Sequence, residues 1–520
     1  APTGKARVKM EQAMKLSSRK DPHIKAYNVA QFLIKSKRYD PETGRFSLND
    51  EPSKRVGETV IIDEASMLTE EMLGALLQSI KGYKRLIMVG DRYQLPPIGT
   101  GRPFVDIINE FEPENIRDEE VFPKVGPSYS ELIINRRQSL PKFRKCGKRV
   151  DIRLANWFRG GSVKATDDEI FDILNGSVNS KCLQIHQWEE EEEFRKLLFD
   201  VLKNILNLKN DNDFKQFNNS LGAINGSIKV GCAENAENWQ ILSPVRNRTH
   251  GVSEINREIH QKFKGAYIRS SKSRENKWKK MTDFTKKAQP AGSEEIVWGD
   301  KIINIRNQPL GAWNTKKRDK EDGYLANGEI GLLVETPRIN DKFFALKFEF
   351  SSQPGLTYSF YDSLTPMERK YRFRSSDEEQ PSIELAYALT VHKAQGSEFG
   401  KVILVIPRNS FNLSRELIYT ALTRQKESIV ILYQGDPIEL MNYSEEKWSE
   451  TNRRFTNLFQ APHPQPVPDK KDLFLEDRLI NRTLRGEDVR SKSELIIANI
   501  LYHHGIDYEY EGVLEFDGQI

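Results

Sequence analysis

The sequence has few cysteines and no long apolar run. Cys146, Cys182 and Cys232 stand far apart in a chain of 520 residues and form no CxxC pair. With eight histidines they predict no zinc quartet, so a reducing cytoplasm is the default expectation. No apolar run approaches the ~18 residues that a membrane span needs, so we expect no membrane association.

The chain also has almost no net charge. Its 79 Lys and Arg and 75 Asp and Glu leave +4, which is too little to identify a nucleic-acid-binding protein. Residues 262–287 form a local basic segment, which contains ten Lys and Arg but two acidic residues, as well as Tyr267 and Trp278. Two interpretations stay open for this segment: contact with a nucleic-acid backbone, or a solvated loop.

Short apolar runs alternate with segments of helical spacing. We predict buried strands at 59–62, 86–89, 402–406 and 429–433, and a helix at 69–81. This alternation is typical of parallel sheets, and two clusters far apart in sequence predict two α/β domains.

The middle and the end of the chain have different patterns. Residues 297–350 contain strand-like runs with Gly and Asn turns and no helix between them, which predicts a small inserted antiparallel barrel. The acidic run 189–193 predicts the start of a surface helix, since carboxylates favour helix N-termini. Alternating prolines at 461–468 predict an extended spacer.

The segment TVIIDEAS, residues 59–66, places Asp63 and Glu64 directly after an apolar strand. Ligands of parallel sheets bind at the edge where such strands end. Asp63 would hold Mg²⁺, and Glu64 would polarise the water that attacks a nucleoside triphosphate. The alternative is a strand that ends in an exposed acidic turn.

The segment LIMVGDRYQLPPIGTG, residues 86–101, again ends a strand in a polar turn. The amide of Gln94 would sense the γ-phosphate and couple it to bound nucleic acid. Taken alone, Gln94 would be an ordinary loop residue.

Two later segments, YALTVHKAQGSEF (387–399) and LIYTALTRQKESIVIL (417–432), complete the set. Gly396 would allow the backbone to approach a ligand, and Glu398 would accept hydrogen bonds from a ribose. Thr390 and His392 offer hydrogen bonds to phosphates. Arg424 has the charge and forked geometry to reach a γ-phosphate. The alternatives are a structural ion pair for Arg424 and a structural histidine for His392.

Together these motifs, in this order, resemble the superfamily 1 helicases, and most of all their RecD-type branch. The segments 239–256, 299–307 and 327–331 resemble that branch too, and NRRQ (135–138) would place Arg137 near the nucleotide. The resemblance implies an α/β fold with two RecA-like parallel-sheet domains and ATP with Mg²⁺ between them. It also implies single-stranded DNA, or a duplex with a single-stranded tail, as partner and translocation 5′ to 3′.

This resemblance divides the chain into five parts. It predicts a first RecA-like domain at 1–125, with a hairpin near 37–48 that would be a strand-separating pin or a plain surface hairpin. The second RecA-like domain, 126–296 and 376–445, would be interrupted at 297–375 by a barrel similar to Src-homology-3 domains. A linker at 446–470 would lead to a truncated α/β segment at 471–520.

The first residues, APTGKA, are not a phosphate-binding loop, because Ala6 stands where GxxxxGK[ST] needs Ser or Thr. They resemble the family's motif Ia instead, which implies that Pro2 and Thr3 face the DNA backbone. We therefore expect the phosphate-binding loop upstream of residue 1, and weak MgATP binding with negligible hydrolysis by these 520 residues alone.

The segment 489–516 predicts a helix, a stop at Gly505 and a strand. It resembles the opening of a PD-(D/E)xK nuclease domain, in which Glu494 would be an early acidic residue of a metal site. With Ser491, Glu494 also fits a helix-capping box. For the whole chain, two alternatives to a DNA helicase remain: a non-catalytic nucleic-acid-binding scaffold and a viral-type RNA helicase.

Overall fold

The computed structural model forms two compact units, Ala1–Arg454 and Phe455–Ile520. The border between them lies inside the predicted 446–470 linker; the finer domain division stays a prediction. The structure describes residues 1–16, 26–40, 43–49, 51–117, 123–132, 149–159, 166–178, 180–275, 287–337, 345–361, 382–408, 410, 412–454, 456, 458–459, 481–489 and 492–508.

A small hydrophobic core organises the N-terminal part of the first unit. Two predicted strands are confirmed as a parallel pair, Thr59–Ile62 with Arg85–Met88. The predicted helix 69–81 is observed as Glu70–Ser79; Thr69 caps it by accepting from the Met72 amide, and its last two predicted residues form a strand instead. Apolar side chains from this part pack together: Val29, Leu33, Ile62, Ala65, Leu68, Leu73, Ala75, Leu76 and Phe104.

A five-stranded sheet, which we call the central sheet, carries the other motifs. All its neighbouring strands are parallel, as the buried β-branched runs predict. Thr390 pairs with Ser243 and Lys401 with Trp239, so the sheet has a defined carboxyl edge and amino edge. The strand order is Ala388–Thr390, Trp239–Ser243, Phe399–Ile406, Gln425–Gln434 and Leu183–Trp188.

Two helices beside the central sheet test earlier predictions. The acidic run opens helix Glu191–Leu206, as expected. Of the two interpretations left open for the basic segment 262–287, the solvated loop is wrong for residues 262–272, which complete the helix Val252–Lys272. Its apolar side chains recur about every four residues and are buried, which leaves most basic side chains on the opposite face. Residues 276–286 lie outside the described residues.

The segment predicted as a barrel forms an antiparallel sheet, which we call the insert sheet. Seven strands follow one another in the order Asp319–Glu321, Ala312–Asn314, Leu356–Tyr361, Ala345–Phe350, Ile330–Glu335, Lys301–Asn304 and Ile383–Leu385. Among the described strands no pairing closes this order into a ring, so the barrel stays a prediction. The side chains of the insert sheet and the central sheet form one large hydrophobic core.

The remaining elements of the first unit are short. Strands Lys54–Arg55 and Ile80–Lys81 pair in parallel, and Gln308–Pro309 pairs with Tyr324–Leu325. Further α-helices are Gly4–Leu16, Val29–Lys35, Pro103–Phe111, Val150–Trp157, Asp167–Leu174, Phe214–Ser220 and Arg415–Leu422. The 3₁₀ helices are Ala65–Met67, Glu114–Arg117, Ala233–Asn235, His392–Ala394, Pro437–Ser444 and Glu446–Trp448.

The second unit contains a two-stranded antiparallel pair, Asn481–Arg482 with Asp488–Val489, and the helix Lys492–His503. Gly505 follows the helix with φ +64°, as the predicted stop requires, and the predicted strand after it lies outside the described residues. Among the described helices of either unit, none combines the length and hydrophobicity of a membrane span.

Candidate nucleotide and nucleic-acid site

The Asp63–Glu64 turn lies at the carboxyl edge of the parallel pair in the small core. Asp63 is half-buried, and its Oδ1 accepts a hydrogen bond from the Glu64 amide at 3.0 Å. Glu64 adopts a left-handed conformation, with φ 55° and ψ 41°. For a residue other than glycine such a backbone costs on the order of 1–3 kcal/mol, and it is concentrated at functional sites.

The turn after the neighbouring strand packs directly against this one. The Ala65 amide donates to the Val89 carbonyl at 2.8 Å. At Gly90 an added Cβ would lie 2.9 Å from the Ser66 nitrogen and 2.8 Å from the Phe104 ring, so only glycine fits. Asp63 and the Gly90–Asp91 turn therefore share one edge, as the two strand ends predicted.

Gln94 lies in a network that reaches the helix Arg415–Leu422, which ends two residues before Arg424. Its amide nitrogen donates to Asp91 Oδ2 at 3.3 Å, and the same oxygen accepts from the Tyr419 hydroxyl at 2.9 Å. Burial raises the pKa of Tyr419 above its usual range, and Asp91 raises it further, so Tyr419 is the hydrogen donor.

Leu95 fixes this loop in place. Its side chain is fully buried and belongs to the large core. Its amide donates to Thr420 Oγ1 at 2.9 Å, and its carbonyl accepts from Gln395 at 3.0 Å. The segment 86–101 therefore meets two motifs about 300 residues later in the sequence, 387–399 and 417–432, around one residue.

Arg424 is buried, with 3% of its surface exposed, just before the strand Gln425–Gln434. Its Nε donates to the Thr420 carbonyl at 2.9 Å and its Nη1 to the Ser397 carbonyl at 3.3 Å. To reach a γ-phosphate, the guanidinium would have to exchange these carbonyls for phosphate oxygens. The neighbouring Glu398 forms an ion pair with Lys426 at 3.4 Å.

Gly396 contacts Thr3 across almost the whole chain length. It has φ +71°, and an added Cβ would lie 3.0 Å from Thr3 Oγ1. Thr3 also accepts from the Ala6 amide at 3.3 Å at the start of helix Gly4–Leu16, and the Pro2 carbonyl accepts from Asn28 at 2.9 Å. These contacts show structural roles for Pro2 and Thr3; their predicted role toward DNA stays a prediction.

A cluster of buried charges at the amino edge of the central sheet was missed by the sequence analysis. Lys5 forms an ion pair with Glu237 at 2.6 Å and donates to Ser397 Oγ at 2.9 Å. Lys301 is fully buried and donates to the Trp239 carbonyl at 2.7 Å. Burial lowers the pKa of Lys301 to about 7, although Glu237 acts in the opposite direction. The sequence offered no signal for this cluster, since each member lies on a different segment.

Thr390 and His392 lie at or beyond the carboxyl edge of the central sheet, away from Arg424. Thr390 is level with Ser243. Arg424 precedes Gln425, which is level with Phe399 at the amino edge, so about six residues of strand, or about 20 Å, separate the two levels. Burial lowers the pKa of His392, with Arg454 lowering it and Glu450 raising it, so the imidazole is neutral at pH 7.

Basic side chains accompany this carboxyl edge. Lys393 and Arg246 both pair with Glu384, at 2.7 and 2.9 Å, and Arg248 is exposed on the same loop as Arg246. Burial alone would raise the pKa of Glu384, but Lys393 outweighs it and lowers the pKa, so the carboxylate is ionised at neutral pH. Sequence analysis identified the resemblance of residues 239–256 but assigned no role to these arginines.

Three further predictions concern residues outside the network described above. Arg137 falls outside the described residues. Tyr39 and Phe46 form an antiparallel bridge and Gly44 has φ +70°, which fits a hairpin; residues 41–42 lie outside the described residues, and the role as a pin stays a prediction. Glu494 lies in the first turn of helix Lys492–His503. Among the described residues no three His, Cys, Asp or Glu side chains form a metal-binding group.

Comparison with known proteins now bears on this site. Residues 385–432 match the model of the UvrD-like helicase C-terminal domain, and residues 1–121 match that of an AAA domain. The first match contains Thr390, Gly396 and Arg424; the second contains Asp63, Glu64 and Gln94. Over these residues the chain is similar to superfamily 1 helicases, which are ATP-hydrolysing enzymes.

Individual relatives agree with this assignment. This chain is 31% identical over 478 residues to an uncharacterised protein of Methanocaldococcus jannaschii, covering 89% of this chain and 35% of that protein. It is 22% identical to the RecBCD enzyme subunit RecD of Buchnera aphidicola, covering 72% and 53%. It is 21% identical to the ATP-dependent RecD2 DNA helicase of Deinococcus radiodurans, covering 71% and 35%.

The chain therefore spans between about a third and a half of the length of these relatives. Among solved structures, the Pif1 helicase from Bacteroides in complex with ADP-AlF3 and ssDNA aligns over 82% of this chain and 86% of its own. Its identity is 15% and its TM-score 0.37, and these values are too low to carry a conclusion about the present chain.

Proposed function

We propose that the protein is an ATP-dependent DNA helicase or translocase that moves 5′ to 3′ along single-stranded DNA. Single-stranded DNA, or a duplex with a single-stranded tail, would be its partner. The observation that carries the proposal is the junction around Leu95, where the Gly90–Asp91 turn and the loop after it are hydrogen-bonded to the helix Arg415–Leu422, two residues before Arg424. Through such a junction, a change of conformation at the Asp63–Glu64 turn would alter the position of Arg424.

The residues at the acidic turn fit MgATP. Mg²⁺ is usually held by one or two carboxylates together with phosphates and water, and Asp63 supplies one half-buried carboxylate. A bound Mg²⁺ would neutralise the negative charge on the phosphate oxygens. Glu64, held in its left-handed turn, would accept a proton from the attacking water, and Gln94 would orient that water or the terminal phosphate.

On the second side of the junction, Arg424 would donate to the terminal phosphate in place of the carbonyls it now contacts. Glu398 would accept hydrogen bonds from the ribose, and Gly396 would let the backbone approach the nucleotide. Arg137 would act near the nucleotide as well. Pro2, Thr3, Thr390 and His392 would contact the DNA backbone, together with the basic loop of Arg246 and Arg248.

The acidic turn and the buried arginine support a motor over a non-catalytic scaffold. A scaffold has no need of a strained glutamate beside a half-buried aspartate. The resemblance to DNA helicases also favours DNA over RNA as the partner. The C-terminal unit would be the start of a nuclease-like domain with Glu494 near its metal site, and the insert sheet would be a Src-homology-3-like barrel.

The test is Glu64→Gln in the full-length gene product. We expect DNA-stimulated ATP hydrolysis to fall about 10²- to 10⁴-fold, because the proton acceptor is lost while size and shape remain. ATP binding, followed with a fluorescent nucleotide analogue, should be unchanged. Glu58→Gln is the matched control, since Glu58 lies exposed at the other end of the same strand. Hydrolysis that survives Glu64→Gln at the unmodified rate would refute the assignment.

A further inference from the structure

Residues 449–454, which we call the strap, connect two parts of the first unit that carry different motifs. The strap follows the last 3₁₀ helix, Glu446–Trp448, at the end of the first unit. It contacts the 99–102 loop, at the end of the segment 86–101 that contains Gln94, and the first turn of the helix Arg415–Leu422, which ends two residues before Arg424. The strap itself belongs to no motif identified in the sequence.

The strap is bound to the 99–102 loop through two arginines. Arg454 Nη1 donates to the carbonyls of Gly99 at 2.8 Å and Gly101 at 2.9 Å. From the loop side, Arg102 donates to the Thr451 carbonyl at 2.8 Å. Both glycines have positive φ, +130° and +77°, a backbone that other residues rarely adopt. The loop conformation and the arginine fork therefore match each other.

The other end of the strap binds a buried carboxylate. Glu416 is 2% exposed and lies in the first turn of the helix Arg415–Leu422. Its Oε2 accepts from the Glu450 amide at 2.8 Å, and its Oε1 accepts from the Ser449 hydroxyl. A buried carboxylate that lost these donors would be strongly destabilised, so the helix and the strap are held together.

Within the strap, the two ends are joined by one ion pair. Arg454 Nη2 donates to Glu450 Oε1 at 2.7 Å, and the Glu450 amide is the group that binds Glu416. A continuous set of charged hydrogen bonds therefore runs from the 99–102 loop to the helix that ends beside Arg424. This route is separate from the direct one through Leu95.

We propose that the strap holds the loop that follows Gln94 against the helix Arg415–Leu422, which ends two residues before Arg424. This makes Arg454 and Glu416 positioning residues. Their role in ATP hydrolysis rests on the proposed function; the tether itself does not. Without the strap, the Gln94 loop would be held to that helix by the contacts of Asp91, Tyr93 and Leu95, and Arg424 would be less often in the position for hydrolysis.

The first experiment measures the tether without any activity. In the full chain, Arg454→Met removes the donors and keeps the stem, and hydrogen exchange is followed in the peptide 92–106. That peptide includes the Leu95 amide, which is bonded to Thr420. We expect exchange there to be faster by about tenfold or more, the factor for one hydrogen bond to a charged donor. Exchange in the strand Phe399–Ile406 should not change.

The matched control is Arg453→Met, because Arg453 donates only within the strap, to the Ser449 carbonyl at 3.3 Å, among the contacts described. It should leave exchange in peptide 92–106 unchanged. Arg454→Lys keeps the charge and should retain part of the protection. If Arg454→Met fails to fold, Arg454→Lys is compared with the unmodified protein instead. Unchanged exchange in folded Arg454→Met, or equal acceleration by Arg453→Met, would overturn the proposal.

The second experiment separates positioning from folding. In the full-length gene product, Arg454→Met should lower kcat for DNA-stimulated ATP hydrolysis about tenfold, with KM for ATP nearly unchanged and partial recovery in Arg454→Lys. A rise in KM with unchanged kcat would overturn the positioning role. If the unmodified protein hydrolyses no ATP, the proposed function fails, and the exchange experiment still decides whether the strap is a tether.

Discussion

The two edges of the central sheet differ in how their charges are satisfied. At the amino edge, Arg424, Lys5 and Lys301 are buried and donate to carbonyls, a hydroxyl and a carboxylate of the protein itself. At the carboxyl edge, Arg246 and Lys393 share one carboxylate, and Arg248 is exposed to solvent. The charged groups of the amino edge are bound within the protein, whereas the carboxyl edge has an exposed positive charge that a partner could bind.

This difference indicates a division of labour. Buried charges in fixed hydrogen bonds act over short distances and are little affected by salt, as phosphoryl transfer requires. Exposed charges bind a polyanion by releasing its counterions, which makes their contribution depend on salt. The proposed nucleotide chemistry therefore belongs to the amino edge, and the proposed DNA contacts of Thr390, His392, Arg246 and Arg248 belong to the carboxyl edge.

The largest expected effect is that of Arg424→Ala. In the full-length gene product it should slow ATP hydrolysis about 10³-fold or more, the range known for arginine fingers. The affinity for single-stranded DNA should change little, since DNA would bind the other edge. The exposed Arg257, replaced by Ala, is the control. Parallel loss of both activities would break the comparison between the edges.

Lys301 makes the amino edge sensitive to pH. Burial lowers its pKa to about 7, whereas an unfolded lysine titrates near 10.5. Between these values Lys301 binds its proton in the unfolded chain and not in the folded one, so its contribution to the free energy of unfolding should rise with pH, by at most about 1.4 kcal/mol per unit.

Denaturant titrations at pH 7, 8 and 9 test this expectation. Lys301→Met, which keeps the apolar stem, should flatten the rise. Lys347→Met is the control, because Lys347 is only half-buried in the insert sheet. An equal slope in unmodified protein and in Lys301→Met would show that this lysine is not the source.

Gly396 lies in the segment that connects the two edges, and its replacement by Ala should destabilise the fold by about 1–2 kcal/mol. The positive φ accounts for that cost, and the contact with Thr3 adds to it. Gly176→Ala shares the positive φ (+81°) but has open space around the added Cβ. The difference between the two variants in urea denaturation measures the contact with Thr3, and no difference would mean that Thr3 moves away freely.

The smallest expected effect is that of Arg248→Ala. Its loss should reduce the slope of log affinity against log salt for single-stranded DNA by about 0.7, the value of one phosphate contact. ATP hydrolysis at saturating DNA should be unchanged. Arg318→Ala, an exposed arginine on the insert sheet, should leave the slope as it is. An unaltered slope in Arg248→Ala would remove that residue from the DNA-binding edge.

Much of the local structure could be predicted from the chain. The four apolar runs are strands in parallel sheets, the acidic run opens a helix, and the Asp63 and Asp91 turns share an edge. Local spacing failed for residues 262–272, because the density of basic residues hid the apolar face of a helix. It also gave no means to judge whether the insert sheet closes into a barrel.

The sequence alone determined which residue types follow which strands, because strand formation and turn chemistry depend on near neighbours along the chain. Only the tertiary structure decided that Leu95 enters the large core, that Lys5 pairs with Glu237, and that Arg424 is bound to the Ser397 carbonyl. It alone revealed the strap. These contacts join residues separated by between 27 and 355 positions. Their partners are chosen by the burial of whole elements and by the need to pair every buried charge, which no local pattern records.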